Sequence, residues 1–151
     1  MKRLHVHMAV NDLDQAIRFY STLFASPPTT VKPDYAKWML EDPRVNFAIS
    51  TGHEGNAGIS HLGIQVENAS ELEEVYGRLK KAEGPMLEEG MTACCYAKSE
   101  KSWITDPAGV AWEAFRTVGE HTTYGTSAPL KTLAKAPACC GPAMPAAPET
   151  R

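Results

Sequence analysis

The chain repeats itself. LHVHMAV, Leu4 to Val10, alternates apolar and polar residues like a strand, and after it Asn11-Asp12 can cap a helix carrying Ala16, Ile17, Tyr20 and Leu23 at helical spacing. The same order returns in SHLGIQV, Ser60 to Val66, with Asn68 or Ser70 as the cap and Leu72, Val75, Tyr76 and Leu79 as the helical stripe. His5 falls on His61, Val10 on Val66, Tyr20 on Tyr76 and Leu23 on Leu79, all at one separation of 56 residues. Short strands follow around Ala36 to Leu40 and Val45 to Ser50, with EDPR, Glu41 to Arg44, as the turn between them. Asp42-Pro43 is echoed by Asp106-Pro107, so VNFAI and VAWEAF read as the last strand of each half, with Phe47 beside Trp112 and Ala48 beside Glu113. The expected fold is therefore α+β: two pseudo-symmetric βαβββ modules, about residues 1–52 and 58–117, forming a metal-binding cup within a domain of residues 1–119. One of the later strands of the first module is not placed by the pattern.

Beyond Thr117 the composition changes. Residues 120–151 are rich in proline and alanine, and from Ser127 to Arg151 there is no aromatic residue, so this cysteine-bearing tail cannot bury a core and is predicted to be disordered. A net charge of -3 and the absence of a Lys/Arg cluster argue against nucleic acid as a partner. The opening MKRLHVHMAVNDLD has no apolar signal core, and no apolar run reaches membrane-spanning length, so the expected location is the cytoplasm with no membrane partner. In a reducing cytosol the four cysteines are expected to bind metals or react as thiols rather than form disulfides.

His5 and His61 occupy equivalent places on the first strand of each module, and a pseudo-two-fold would bring those strands side by side. Glu113 is the only acidic residue in the predicted final strand, and a charge between Trp112 and Phe115 requires a partner. Two imidazoles and one carboxylate with open positions suit non-haem Fe(II), while Mn(II), Ni(II) and Zn(II) accept similar donors. His7 lies two residues after His5 and so faces the same way; its counterpart is Gly63, and the repeat favours His5 with His7 as the alternative. His53 and His121 fall outside the repeat match and are expected to be solvated.

Two adjacent cysteine pairs stand out: Cys94-Cys95 in TACCYA and Cys139-Cys140 in ACCGP. A disulfide between neighbours closes a very tight ring, so such a pair is better suited to hold one soft atom, such as trivalent arsenic, Cd(II) or Hg(II). In a regular strand the two side chains would point to opposite faces, so Cys94 and Cys95 are expected in a loop or bulge, with Gly90 just upstream allowing a mobile loop. Cys139 and Cys140 are expected to be auxiliary thiols that collect a soft ion and pass it inward.

A first-strand histidine before VNDLDQAIRFY, HLGIQV in the second half and the final DPAGVAWEAF together resemble the vicinal oxygen chelate superfamily, which includes glyoxalases and extradiol dioxygenases. The resemblance covers about residues 3–117. Within that superfamily, KPDYAKWMLEDP and MTACCYAKSEKSWITDPAG look like the heavy-metal resistance group of carbon-arsenic lyases and cadmium-induced proteins. That resemblance implies an Fe(II)-dependent dioxygenase, using dioxygen as co-substrate, that splits the carbon-arsenic bond of trivalent organoarsenicals such as methylarsenite and aromatic arsenicals, releasing arsenite. It implies His5, His61 and Glu113 as catalytic iron ligands and Cys94 and Cys95 as the arsenic-binding thiols. Two other readings stay open: a resistance protein that holds Cd(II) or arsenite without catalysis, and a glyoxalase-like metalloenzyme. The latter usually takes a fourth ligand from the first half, where Ala48 stands. A homodimer is among the expected assemblies.

Overall fold

The computed structural model describes residues 1–52 and 57–120. Each half is a βαβββ module: β1 (Arg3–Ala9), α1 (Leu13–Leu23), β2 (Thr30–Lys32), β3 (Tyr35–Glu41) and β4 (Arg44–Ser50), then β5 (Gly58–Val66), α2 (Ala69–Leu79), β6 (Met86–Cys94), β7 (Ala97–Thr105) and β8 (Ala111–Glu120). The strand that the pattern left unplaced is β2, three residues long and paired on one side only, to β3. So short a segment carries too little alternation to be read from sequence. The final strand continues past Thr117 to Glu120. Cys139, Cys140, His53 and His121 lie outside the described residues.

The repeat extends to the helix caps. Asp12 Oδ1 accepts the backbone N–H of Gln15 at 2.8 Å, and its equivalent Asn68 accepts that of Glu71 at 2.9 Å. Ser70 is not the cap; its hydroxyl donates to Asn68 Oδ1 at 2.8 Å. Each helix lays its apolar stripe on its own module. Tyr20 and Phe24 pack with Trp38 and Phe47, the Tyr20 and Phe47 rings lying 4.5 Å apart, while Leu72 and Val75 of α2 close over Val66 and Ala114.

The eight strands form one sheet in the order β2-β3-β4-β1-β5-β8-β7-β6. In the sheet the two modules pair along β1 and β5, which run antiparallel with Val6 opposite Leu62. Those two residues are themselves repeat equivalents, so the local two-fold axis passes through that pair. On either side of it His5 faces Gly63 and His7 faces His61. β4 runs parallel to β1 with Ala48 opposite His7, and β8 runs parallel to β5 with Glu113 opposite Gly63. Ala48 and Glu113 are thus equivalent positions, as the alignment of the two final strands expects.

The sheet is curled. β3 and β7 stand second and seventh in the strand order, so in a flat sheet they would be about 24 Å apart at ~4.8 Å per strand. Yet the Tyr96 hydroxyl, in the β6–β7 turn, donates to Asp34 Oδ1, next to β3, at 2.6 Å. One face of the curl takes the helices, because Val6, Met8, Ile64 and Ala114 pack beneath them. Alternation turns His5, His7, His61 and Glu113 to the other, concave face. Among the described residues no helix is long and apolar enough to cross a membrane.

Gly63 permits the close approach of β5 to β8. A Cβ there would lie 2.5 Å from the Glu113 carbonyl oxygen. Gly63→Ala is therefore expected to push the two strands apart and destabilise the fold by about 1–3 kcal/mol, read as a lower midpoint in urea denaturation.

Candidate metal and thiol site

His5, His61 and Glu113 are brought together on the concave floor. The Nε2 atoms of His5 and His61 lie 3.8 and 3.6 Å from the same carboxylate oxygen, Oε2 of Glu113. All three residues are buried, with no more than 5% of their surface exposed. His5 Nδ1 donates to the carbonyl oxygen of Asn46 at 3.0 Å, which leaves the Nε2 lone pair turned to Glu113. Ser60 Oγ lies 3.2 Å from His61 Nδ1 and leaves that ring's Nε2 directed the same way.

His7 shares the floor. The nitrogens of His5, His7 and His61 include one from each ring within 4.8 Å of one another, so a set of three imidazoles is also available. The Nε2 of His7, however, is engaged by the buried Ser50 hydroxyl at 2.7 Å. Of the two strand histidines, His5 is the one whose outer nitrogen is held by the backbone and whose inner nitrogen meets the carboxylate.

A buried cation completes this arrangement and was missed by sequence reasoning. Lys101 Nζ lies 2.7 Å from Glu113 Oε1, the oxygen turned away from the histidines. Lys101 alternates with Ser99 and Trp103 along β7, and all three are buried. A lysine in phase with a strand's buried tryptophan was the available signal, but lysine is nearly always solvated and is discounted on that ground.

Burial alone would lift the Glu113 carboxyl, but the Lys101 charge and the neighbouring imidazoles of His61 and His5 outweigh it and hold the group well below the usual carboxylate range. Burial, followed by the nearby His61, pushes His5 down to about 4, against the opposing pull of Glu113. At neutral pH the floor therefore presents a neutral His5 and an ionised Glu113, the protonation states a divalent cation requires of its ligands. Convergent, deprotonated nitrogen and oxygen donors fit such an ion.

The depressed His5 value sets a pH dependence. In the unfolded chain this imidazole takes its proton near 6.5, whereas in the folded protein it does so only near 4. As pH falls through that window the unfolded chain binds a proton that the folded one does not, so stability declines, by about 3 kcal/mol in total. Urea unfolding of the metal-free protein should show a lower midpoint at pH 5 than at pH 7, and His5→Gln should flatten the difference.

Aromatic rings wall the floor. Phe115 meets His5 edge-on at 5.2 Å, Trp103 meets His61 at 5.1 Å, and Tyr35 meets His7 at 6.2 Å. On the opposite, helix-facing side lies an apolar pocket of about 220 Å³ lined by Ile64, Val75, Leu79 and Ile104, separated from the imidazoles by the sheet.

The thiols are not on a mobile loop at Gly90. β6 runs on through Gly90, which takes φ +69° where the ladder to β7 slips, and ends at Cys94. A bulge absorbs the glycine without breaking the strand. The departure from strand geometry comes one residue later: Cys95 and Tyr96, at φ 53° and 61°, form the two-residue turn of the β6–β7 hairpin. Cys94 ends the strand and Cys95 starts the turn, so the backbone leaves regular strand geometry between them. Cys95 is half-buried. The Tyr96 ring lies 5.9 Å from that of Tyr35, which in turn meets His7, so two ring contacts link the hairpin tip to the imidazole floor.

Residues 2–114 match the Glyoxalase/Bleomycin resistance protein/Dioxygenase superfamily. A trivalent organoarsenical cleaving enzyme from Bacillus sp. (strain MD1) is 44% identical over 131 residues, 82% of this chain and 80% of its own. A cadmium-induced protein from Mycobacterium tuberculosis (strain ATCC 25618 / H37Rv) is 32% identical over 126 residues, covering 83% of each chain. Among solved structures, an extradiol ring-cleaving dioxygenase from B. fuscum superposes with a TM-score of 0.58 at 13% identity, over 80% of this chain and 34% of that one, a likeness of fold alone.

Proposed function

The chain belongs to the Glyoxalase/Bleomycin resistance protein/Dioxygenase superfamily, and from that footing we propose that it is a cytoplasmic Fe(II)-dependent enzyme that cleaves the carbon-arsenic bond of trivalent organoarsenicals. The observation that carries this reading is the buried His5–His61–Glu113 cluster, linked through His7, Tyr35 and Tyr96 to the tip of a hairpin bearing adjacent thiols. A relative at 44% identity named for organoarsenical cleavage supports the substrate class.

In this reading Cys94 and Cys95 take the arsenic atom of methylarsenite or an aromatic arsenical as a two-thiolate ligand and turn its carbon-arsenic bond toward the floor. Fixing the reacting bond there supplies the proximity part of the rate enhancement. Tyr35, Trp103 and Phe115 pack the organic group and exclude water. His5, His61 and Glu113 would hold the iron, while Lys101, on the far oxygen of Glu113, keeps that carboxylate ionised and oriented. Bound there, Fe(II) would supply an open coordination position for dioxygen and the electrons to activate it, the products being arsenite and an oxidised organic fragment. Cys139 and Cys140 would serve as auxiliary thiols that collect the arsenical.

The test is anaerobic reconstitution with Fe(II), then addition of oxygen and methylarsenite, with arsenic species separated over time. Arsenite should appear only when both Fe(II) and oxygen are present. Methylarsenite that stays bound and unchanged would instead favour a second reading, sequestration of arsenite or Cd(II) by the thiols, which the 32% identity to a cadmium-induced protein keeps in view. A glyoxalase-like activity is disfavoured because Ala48 stands at the position equivalent to Glu113.

A further inference from the structure

The hairpin that carries the thiols belongs to the second module, but its tip is held by the first. The Tyr96 hydroxyl donates to Asp34 Oδ1 at 2.6 Å, the Tyr96 ring lies 5.9 Å from that of Tyr35, and Lys32 Nζ sits 5.5 Å from the centre of the Tyr96 ring. Lys32, Asp34 and Tyr35 all come from one short stretch at the β2–β3 turn. The tip also has an unfavourable backbone. Cys95 and Tyr96 both take left-handed φ values, a two-residue turn that favours Asn-Gly and that a cysteine and a tyrosine adopt only at a cost. A strained turn persists where its surroundings hold it, and here the holding contacts reach across the concave face from the opposite edge of the sheet.

We propose that the Tyr96–Asp34 hydrogen bond is a latch that holds the Cys94–Cys95 tip in its arsenic-capturing position over the floor, making Tyr96 and Asp34 positioning residues for substrate capture. The proposal rests on the assignment of Cys94 and Cys95 as the arsenic-binding thiols. Its consequence is specific. Two thiols can close on one arsenic atom only when the tip is in place, so an open latch lowers apparent affinity by the fraction of time the tip is away. Once both thiolates are attached, the arsenic atom itself holds the tip, and the later chemistry no longer needs the latch. Loss of the latch should therefore raise KM and leave kcat and metal content unchanged.

Tyr96→Phe removes the hydroxyl while keeping the ring beside Tyr35 and Lys32, and Asp34→Asn keeps the shape while removing the charge. Two quantities are measured on the full chain: amide hydrogen exchange across residues 94–97, without any arsenical, and the equilibrium affinity for phenylarsine oxide. Loss of one charge-assisted hydrogen bond should speed exchange and weaken phenylarsine oxide about tenfold in Tyr96→Phe. Asp34→Asn should act in the same direction, and the double variant should be no worse than the worse single. Unchanged exchange in both variants would overturn the latch. Faster exchange with unaltered affinity would overturn its role in capture. A wild-type protein that binds phenylarsine oxide no better than Cys95→Ser would overturn the substrate reading itself and the capture role with it, an outcome told apart from the other two because it appears in the unmutated latch.

Discussion

Glu113→Ala is expected to abolish both metal binding and carbon-arsenic cleavage, and to unfold at markedly lower denaturant than the parent. The two effects have different origins. Glu113 Oε2 is the atom on which His5 and His61 converge, so its removal takes away a direct donor. Even groups one step behind the ligands change metal affinity by about 10–100-fold, and the loss of a direct carboxylate should exceed that range. The stability effect comes from the other oxygen, because Lys101 would stay buried without its 2.7 Å counter-charge, a situation that costs about 3–5 kcal/mol. The double variant Glu113→Ala/Lys101→Met separates them. It should recover most of the lost denaturation midpoint, since the buried ammonium that lost its carboxylate is removed as well, and recover none of the metal content or turnover. A Glu113→Ala protein that binds Fe(II) with parental affinity would sink the assignment of this residue as a ligand.

Cys95→Ser should do the converse: retain the metal and the fold but lose the arsenical. A single remaining thiol binds arsenic without the gain from a second, intramolecular attachment, and that gain is worth about 10²–10⁴ in overall affinity. Cleavage at micromolar methylarsenite should fall by a similar factor. Cys95 is the informative position because it is the first turn residue, where the backbone has left the strand. Iron content by elemental analysis and arsenical affinity by titration, measured on the same preparation, would give the answer. Parental affinity in Cys95→Ser would move arsenic binding elsewhere.

Much of this arrangement was legible before any coordinates. The separation that aligns His5 with His61 also aligns Asp12 with Asn68 as caps and Val6 with Leu62 at the symmetry axis, because a duplicated module preserves local chemistry and the pairing that joins it to its copy. Three things were hidden. β2 is too short for its alternation to register. Gly90 reads as a loop, since a glycine in a bulge and a glycine in a turn look alike in one dimension. Lys101 was passed over because its burial goes with an ion pair to Glu113 across β7 and β8 that no local pattern announces. The hydrogen bonds that distinguish His5 from His7, to Asn46 and Ser50, come from a strand some forty residues away in the chain.

The axis through Val6 and Leu62 is a broken symmetry. It carries imidazole onto imidazole, His5 onto His61, but it carries the Glu113 carboxylate onto the methyl group of Ala48. The floor of the cup is consequently lopsided. The Glu113 carboxylate and its Lys101 partner both come from the second module, while the first module offers the methyl group of Ala48 in the mirrored place, with Lys37 of β3 opposite it in the ladder. One half of the duplication gives the floor a carboxylate and the other gives it a methyl group, so the two sides of the cup are not interchangeable to anything that enters it.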